Sequence, residues 1–307
     1  MDIHVVRPGD TLYGIAVRYQ ADPAVLQELN GLSPDSVLAV GQTVVIRHVD
    51  TFHTVQPGQT LAGIAGLYGV PLRRLYRNNF DLGGQPAIQP GRRLVIAYRD
   101  PPGRSAHTNG YAYPFISRAL LSAQLPYMSF LTPFTYGIDA SGGLLPLEDA
   151  MLLEEARRLG TAPLMHLSTL TEADSFSSDR AVMVLTDPSM QEALIEQTLA
   201  TVAAKGYRGV DVDFEYIPGE QREAYADFIR LLRARLAPAG LPVTVALAPK
   251  TRPEQPGLLY EAHDYALLGA AADFVLLMTY EWGYTAGPPM AVAPLPNVRQ
   301  VLDYAVT

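Results

Sequence analysis

The chain has 307 residues, of which 48% are hydrophobic and 18% are charged, and its formal net charge is −8. This length corresponds to about two domains, and the charge gives no electrostatic basis for binding nucleic acid or an anionic membrane. There is no cysteine, which excludes thiol catalysis, thiolate metal sites and disulfides. No apolar run approaches the ~18 residues of a transmembrane helix, and the first residues lack the basic and apolar regions of a secretory signal.

An internal repeat fills the N-terminal third of the chain. Residues 4–12, HVVRPGDTL, return as residues 53–61, HTVQPGQTL, at an offset of 49. The similarity continues to a Val-Ile pair near the end of each unit, which defines two units of about 45 residues. Each unit predicts a strand, two helices and a second strand. The Pro-Gly pair marks a turn after the first strand, and Pro23 and Pro71 mark the start of the second helix.

This pattern resembles the LysM module, a βααβ unit that binds glycans containing N-acetylglucosamine, such as peptidoglycan and chitin. We therefore interpret residues 1–48 and 52–98 as two LysM modules. The resemblance implies that glycan lies in a shallow groove between the loop after the first strand and the loop after the second helix. The residues that the resemblance assigns to this groove are Gly9, Asp10, Thr11, Leu12, Asn30, Leu32, Gly58, Thr60, Leu61 and Asn79. Asp10 and Thr11 are also typical helix caps, so a purely structural role stays open for both.

The chain changes in character after the repeats. Residues 99–109 are polar, contain proline and glycine, and predict a linker. From residue 110 onward strands alternate with helices, which favours an α/β fold with a parallel sheet and right-handed crossovers. The six predicted strands are residues 110–115, 127–135, 162–167, 209–216, 243–248 and 274–280. The predicted helices cover residues 147–159, 188–205 and 225–232.

Six βα units without a dinucleotide-binding glycine fingerprint favour a (β/α)8 TIM-type barrel over a Rossmann sheet. A barrel of this type has eight strands. Residues 110–307 are therefore expected to form a catalytic domain that holds about six βα units and is truncated at its C-terminal end. An unclosed barrel exposes a strand edge and part of its apolar core. The alternative is that the architecture is not a barrel.

One acidic segment is the most informative part of the second domain. Residues 206–216, GYRGVDVDFEY, alternate carboxylates with apolar side chains. On a strand, this period of two places Asp211, Asp213 and Glu215 on one face, which in a barrel points into the lumen. Crowded carboxylates raise one another's pKa, and this keeps a glutamic acid protonated near neutral pH as a general acid. The alternatives are an exposed acidic edge strand or a metal site.

The same segment resembles the signature of glycoside hydrolase family 18, Asp-Gly-x-Asp-x-Asp-x-Glu. The matching positions are Gly209, Asp211, Asp213 and Glu215. Arg208 replaces the first aspartate. Residues 278–289 begin with MTYEW, which resembles the family's sixth-strand motif Met-x-Tyr-Asp with a glutamate in place of the aspartate. Together with the LysM modules, these motifs make the whole chain similar to the cortex-lytic glycosidases of endospore-forming bacteria.

The resemblance implies a retaining, substrate-assisted mechanism, in which the N-acetyl oxygen of the substrate attacks the anomeric carbon. Glu215 is expected to protonate the leaving oxygen and later to activate water. Asp213 is expected to orient the acetamido group, and Asp211 to share a proton with Asp213. Tyr280 is expected to hydrogen-bond the acetamido carbonyl. The further substrate-binding candidates are Met278, Glu281, Trp282 and Tyr136. A core position is the alternative for Trp282.

The resemblance implies no metal and no cofactor, and the six histidines show no metal-ligand spacing. We interpret His166 and His263 as structural. The expected activity is hydrolysis of β-1,4 bonds next to N-acetylglucosamine in spore-cortex peptidoglycan, with the LysM modules raising the local substrate concentration. The expected location is the spore envelope, reached without a signal peptide. The alternatives are a spore-envelope protein that binds peptidoglycan without cutting it, and a chitinase.

Overall fold

The computed structural model describes residues 1–100, 103, 105–173, 175–283 and 287–307. Residues 101, 102 and 104 of the predicted linker, and residues 284–286 of the motif at 278–289, lie outside the described residues. The chain forms two compact units. The first consists of Met1–Asn109, Ile116–Ser129 and Glu154–Thr161, and the second of Gly110–Phe115, Phe130–Leu153 and Ala162–Thr307. No helix in the described ranges is long and apolar enough to cross a membrane.

The first unit contains two βααβ modules in the order that the repeat predicts. The first module consists of β1 (Asp2–Val5), α1 (Leu12–Tyr19), α2 (Pro23–Leu29) and β2 (Thr43–Ile46). The second module consists of β3 (Val49–Thr54), α3 (Leu61–Leu67), α4 (Leu72–Asn78) and β4 (Arg93–Tyr98). In each module the two strands pair in an antiparallel sheet. Ile15 and Ile64, which occupy equivalent positions in the first helices, are both buried.

The first helix of each module begins at the threonine that the repeat predicts. The Thr11 hydroxyl accepts a hydrogen bond from the backbone N–H of Gly14 (3.0 Å), and the Thr60 hydroxyl accepts one from Gly63 (3.1 Å). Each hydroxyl thereby satisfies an amide that the start of a helix leaves unpaired. The helix-capping role considered for Thr11 is confirmed.

The first unit also includes α5 (Arg118–Gln124) and the end of α6 (Ala150–Leu159). Arg73 of α4 donates from Nε to the carbonyl of Pro126 (2.8 Å) and from Nη2 to the carbonyl of Leu125 (3.2 Å). Both carbonyls follow directly after α5, where the end of a helix leaves acceptors unpaired. The second module is therefore bonded to the α5 segment within this unit.

The second unit is built on the predicted strands, each shorter than the sequence pattern suggests. The strands are β5 (Asn109–Ala112), β6 (Phe130–Pro133), β7 (Ala162–Pro163), β8 (Met165–Ser168), β9 (Val210–Asp213), β10 (Val243–Leu247) and β11 (Phe274–Leu277). Their order is β5-β6-β7 in one sheet and β8-β9-β10-β11 in another, with a parallel bridge from Tyr136 to Leu167. The β6–β7, β8–β9, β9–β10 and β10–β11 pairs are parallel, as predicted. Because β7 and β8 lie within one predicted strand, all six predicted strands are confirmed.

The helices of the second unit connect these strands. They are α7 (Ser178–Thr186), α8 (Pro188–Lys205), α9 (Arg222–Leu236), α10 (Tyr265–Ala271) and α11 (Leu295–Ala305), besides the first part of α6. The Asp187 carboxylate accepts hydrogen bonds from two backbone N–H groups at the start of α8. The helix ends at Gly206, whose φ of 73° favours glycine. Both boundaries agree with the sequence, whereas the shorter helices α5, α7 and α10 were not predicted from the apolar pattern.

Strand β9 lies inside the sheet and has a fully apolar face. The apolar side chains on this face are those of Val210, Val212 and Phe214, which pack with α8 and α9. The ring of Phe214 stacks on Phe228 of α9 at a centroid distance of 5.3 Å. The alternate residues Asp211 and Asp213 therefore point to the opposite face. Because β8 and β10 pair with β9 on both sides, the alternative of an exposed acidic edge strand is wrong.

In the described part of the chain, β11 is an edge strand of its sheet. Among the described residues it pairs with β10 alone, and Phe274 and Val275 are 53% and 38% exposed. A free strand edge with exposed apolar side chains is expected for a parallel sheet that holds about six of the eight barrel positions. The predicted barrel-type architecture with about six βα units is confirmed.

Gly84→Ala is expected to destabilise the second module, because a Cβ at this left-handed position (φ +71°) would lie 2.0 Å from the carbonyl oxygen of Ser122. Overpacking and backbone strain together should cost about 3 kcal/mol. Gly83→Ala is the matched control, since Gly83 is also left-handed but has no atom within 4 Å of its Cβ position, and it should cost about 1 kcal/mol. Hydrogen exchange of the α4 and β4 amides measures both losses. Equal losses would contradict the close contact.

Candidate active site

Three acidic side chains follow one another along β9 and the residues after it. Asp211 is fully buried and Asp213 is 6% exposed, whereas Glu215 is half-buried. The Tyr111 hydroxyl on β5 donates a hydrogen bond to Oδ2 of Asp211 at 2.5 Å. A residue from β5, a strand of the other sheet, thus holds the most deeply buried of the three acids.

Burial controls the protonation of all three acids. Desolvation raises the pKa of Asp211 to about 6, although the hydrogen bond from Tyr111 acts in the opposite direction. Desolvation and the charges of Glu215 and Asp211 raise the pKa of Asp213 well above its ordinary value. Desolvation, followed by the negative charge of Glu281, raises the pKa of Glu215 to about 7. A carboxyl with this pKa can both give and take a proton near neutral pH.

His263 fixes the backbone that leads to Glu215. Its Nδ1 accepts a hydrogen bond from the backbone N–H of Ala248 (2.8 Å), so its Nε2–H donates to the carbonyl of Phe214 (3.0 Å). Burial lowers the pKa of His263 to about 4, which keeps the ring neutral. The structural role predicted for His263 is confirmed: it connects the end of β10 to the residue before the acid.

His166 lies next to the two aspartates. It is fully buried, and its Nε2 is 3.6 Å from Oδ2 of Asp213 and 3.9 Å from Oδ2 of Asp211. Its Nδ1 lies 2.6 Å from the hydroxyl of Thr135. Sequence reasoning missed His166 and Tyr111 as members of the site, because neither belongs to a motif that the sequence shows.

A cavity of about 560 Å³ has Asp213 and Glu215 in its wall. Its other lining residues are Tyr113, Phe134, Phe176, Tyr216, Pro249, Leu259, Tyr260, Met278, Tyr280, Glu281 and Trp282. The residues after β11 that were predicted to bind substrate therefore share one cavity with the acids, and Trp282 lies in its wall. Among the described residues, no three histidine or acidic side chains converge as the ligands of a metal ion would.

The aromatic part of the cavity wall was largely unpredicted. Tyr113 stands two residues after Tyr111, so the period-two rule for strands was the one signal that could have found this pair. Tyr216 and Glu281 have positive φ values of 56° and 58°, which non-glycine residues rarely adopt. Such backbone strain is found preferentially at functional sites, and here both residues line the cavity.

The structure corrects the prediction for Tyr136. This side chain is buried at the edge of the core and is not among the residues that line the cavity. Its hydroxyl donates to Oδ2 of Asp149 (2.5 Å) and accepts from Nζ of Lys205 (2.7 Å). Because this buried ion pair occupies the hydroxyl, Tyr136 is a structural residue and not a substrate-binding one.

The first LysM module contains a groove of about 530 Å³ at the position that the resemblance implies. Its walls are residues after β1 and residues around and after α2. They are Asp10, Thr11, Leu12, Tyr13, Pro23, Gln27, Pro34, Asp35, Ser36, Val37 and Leu38. Three predicted groove residues line it, whereas Gly9, Asn30 and Leu32 do not. Leu32 packs against the core of the module instead.

Asn30 and Asn79 are structural residues, which corrects their prediction as groove residues. The side chain of Asn30 donates to the carbonyl of Val45 and accepts from its N–H at 2.8 and 2.7 Å. Asn79 makes the same pair of bonds with Val95 at 3.0 and 2.8 Å. Each amide also donates to a carbonyl of the preceding helix, so its donors are consumed in joining that helix to the closing strand.

The other predicted positions of the second module also serve its own fold. Leu61 is 2% exposed in the module core, Thr60 caps α3, and Gly58 forms the turn with a φ of +81°. All three residues therefore have structural roles within the second module.

Comparison with known proteins shows the family to which the chain belongs. Residues 4–47 and 53–97 match the LysM domain, and residues 173–306 match the glycosyl hydrolases family 18. The chain is 37% identical over 316 residues to the cortical fragment-lytic enzyme of Bacillus subtilis, with 100% of this chain and 72% of that protein covered. It is 34% identical to the cortical fragment-lytic enzyme of Bacillus anthracis, with 99% and 71% covered.

Solved structures lead to the same family. The crystal structure of the Bacillus cereus spore cortex-lytic enzyme SleL matches with a TM-score of 0.76 and 34% identity, covering 99% of this chain and 71% of that chain. A chitinase from Chromobacterium violaceum matches with a TM-score of 0.59 and 24% identity over 66% and 64% of the two chains, which shows the fold alone. The chain therefore belongs to the glycosyl hydrolases of family 18 and is a glycoside hydrolase with two LysM domains. Within that family it is similar to the spore cortex-lytic enzymes of Bacillus.

Asp213→Asn is expected to raise the free energy of unfolding at pH 8 by about 1–3 kcal/mol. The pKa of Asp213 is raised in the folded state, so the stability that its neutral form provides at low pH is lost as the pH rises through that pKa. The asparagine variant does not suffer this loss, so its advantage should shrink toward pH 4, where the folded carboxyl is neutral and the unfolded one, with a pKa of 3.8, is only about half ionised. Urea unfolding at both pH values measures the difference, with the exposed Asp303→Asn as control. The same gain at both pH values would contradict the prediction.

Proposed function

We propose that this protein hydrolyses β-1,4 glycosidic bonds next to N-acetylglucosamine in spore-cortex peptidoglycan or its fragments, with retention of configuration. The observation that carries the proposal is the shared cavity of Glu215, whose pKa is raised to about 7, and the buried Asp213. The relatives named for lysis of cortical fragments and of the spore cortex support this substrate. For the same reason we propose that the protein acts at the spore envelope.

The first step uses Glu215 as a general acid. Its proton passes to the glycosidic oxygen while the bond from that oxygen to the anomeric carbon breaks. The carbonyl oxygen of the substrate's own N-acetyl group forms the new bond to the anomeric carbon, which gives an oxazolinium ion. Glu215, now a carboxylate, takes a proton from water as the water oxygen attacks the anomeric carbon. This attack breaks the bond between that carbon and the acetamido oxygen, so the oxazolinium ring opens.

The oxazolinium ion needs a negative charge beside it. Asp213 lies in the cavity wall with Glu215 and supplies this charge, and it orients the acetamido N–H before the attack. Asp211 lies on the same face of β9 and is held by Tyr111. Since the charge of Asp211 raises the pKa of Asp213, the two aspartates titrate as a pair that shares a proton.

Residues after β11 complete the subsite for the reacting sugar. Burial raises the pKa of Tyr280 to about 12, so its hydroxyl stays protonated and donates to the acetamido carbonyl. The ring of Trp282 supplies an apolar surface for a sugar face. Met278 and Glu281 line the same part of the cavity.

The groove of the first LysM module supplies a second contact with glycan. Tyr13 and Val37 line it and are 71% and 93% exposed. Exposed apolar side chains that lie together in a groove are typical of a ligand-binding surface. A module that holds the same glycan strand raises the effective substrate concentration.

Glu215→Gln is expected to lower the rate of glycan hydrolysis about 10³-fold, because it removes the proton donor. The release of reducing ends from purified cortical fragments and from N-acetylglucosamine oligomers measures this. Glu220→Gln, an exposed residue before α9, is the matched control and should leave the rate unchanged. A fully active Glu215→Gln would contradict the mechanism. An inactive wild type that retains glycan would favour a peptidoglycan-binding protein that does not cut.

Tyr13→Ala is expected to weaken retention on insoluble peptidoglycan about tenfold, because it removes an aromatic surface from the groove. Val37→Ala should weaken it by a smaller factor. Val17→Ala is the matched control, since Val17 is 59% exposed but lies outside the groove. Hydrolysis of a soluble oligomer should stay unchanged in all three variants. Equal retention of the Val37→Ala and Val17→Ala variants, with no effect of Tyr13→Ala, would exclude this groove as the glycan site.

A further inference from the structure

We propose that His166 is a positioning residue of the active site: its Nε2–H donates a hydrogen bond to Asp213 when that carboxylate is charged. The bond stabilises the anion that faces the oxazolinium ion. This inference rests on the proposed function, since it concerns the charge state of the same aspartate pair.

The position of the imidazole ring is the first observation. His166 lies opposite Asp211 in the parallel register of β8 and β9, with Nε2 at 3.6 Å from Oδ2 of Asp213. Within the described residues this nitrogen has no hydrogen-bond partner, and neither has Oδ1 of either aspartate. A buried nitrogen without a partner is costly. The nearest polar atoms with which it can pair are those of the two carboxyls.

The second observation concerns the ring proton. Nδ1 lies 2.6 Å from Oγ1 of Thr135, and this is the shortest contact of that hydroxyl. The Thr135 hydroxyl also lies 3.0 Å from Oγ of Ser168, to which it can donate instead, but that oxygen already accepts from the N–H of Leu170. We therefore assign the Thr135 hydrogen to Nδ1, which is the nearer acceptor. With the Thr135 hydroxyl donating to Nδ1, the ring proton sits on Nε2 and faces the aspartates.

Aromatic side chains hold the ring in this orientation. The Phe134 ring lies over the imidazole at 4.8 Å, and the Tyr111 ring meets it edge-on at 5.4 Å. Desolvation lowers the pKa of His166 to about 3, so the imidazole is neutral and donates without adding a charge. The titratable groups next to the ring are Tyr111 of β5 and Asp211 and Asp213 of β9, and Tyr280 after β11 lies near the same two aspartates.

Two neutral donors from different strands then serve the two acids. Tyr111 donates a hydrogen bond to Asp211, and His166 is the donor assigned to Asp213. When the shared proton resides on Asp211, the charge lies on Asp213, and Nε2 has to approach by about half an ångström to reach hydrogen-bond distance. A hydrogen bond to a charged group is strong in a site without water. Its loss should therefore affect the steps in which Asp213 is charged.

Two substitutions separate this role from packing. His166→Leu removes the donor, whereas His166→Gln keeps an N–H near the position of Nε2. With an N-acetylglucosamine oligomer as substrate, His166→Leu is expected to lower kcat about 10- to 100-fold while KM changes less than about twofold. The acidic limb of its pH profile should move to higher pH, because the aspartate pair then loses its proton less readily. His166→Gln should stay within about fivefold of the wild type, and His48→Leu in the first unit is the control.

An unchanged kcat and acidic limb in His166→Leu would overturn the proposal, and so would a His166→Gln variant as impaired as His166→Leu. The ring tautomer of the wild-type protein gives a test that depends neither on folding of a variant nor on activity. Nitrogen-15 NMR of the histidine rings should show His166 neutral and protonated at Nε2 between about pH 5 and pH 8. A proton on Nδ1 would overturn the proposal. Full activity of Glu215→Gln would instead remove the proposed function and leave the NMR result standing.

Discussion

The burial of two carboxyls on β9 is the constraint on which the second unit depends. Asp211 and Asp213 alternate with side chains that pack against α8 and α9, and Phe214 stacks within that core. The acids cannot turn toward water without exposing the apolar face, because side chains on a strand alternate strictly. Uncompensated carboxylates in such a place would cost several kcal/mol. The raised pKa of each aspartate and the hydrogen bond from Tyr111 reduce that cost.

No cation lines the described part of the cavity that holds these acids. A neighbouring cation would lower the pKa of the carboxyls, and Glu215 would then be deprotonated at neutral pH. Glu281 acts in the opposite direction and helps to raise the pKa of Glu215. The raised pKa of Glu215 thus depends on the absence of a cation in the described part of the cavity wall as well as on the presence of Glu281.

The two LysM modules show how a repeat keeps its structure while its polar groups change. In the first module Nε2 of His4 bonds to the Asp10 carboxylate (2.8 Å), and in the second Nε2 of His53 bonds to the Gln59 amide oxygen (2.7 Å). The hydrogen bond is therefore kept although an uncharged amide replaces the carboxylate. The module fold tolerates this replacement, and the charge of Asp10 in the groove wall of the first module has no counterpart at Gln59.

The sequence by itself determined the features whose signals are local. The repeat, the threonine caps, the six strands and the common face of Asp211 and Asp213 all follow from spacing along the chain, because backbone periodicity and capping act over a few residues. Sequence reasoning failed where a side chain's role depends on a distant partner. The side-chain amide of Asn30 forms hydrogen bonds with the backbone of β2, and the hydroxyl of Tyr136 forms them with Asp149 and Lys205. Only the tertiary structure decided that Tyr111, 100 residues away from Asp211, and His166 meet the acids, because desolvation and pairing are set by strands that become neighbours only in the folded sheet.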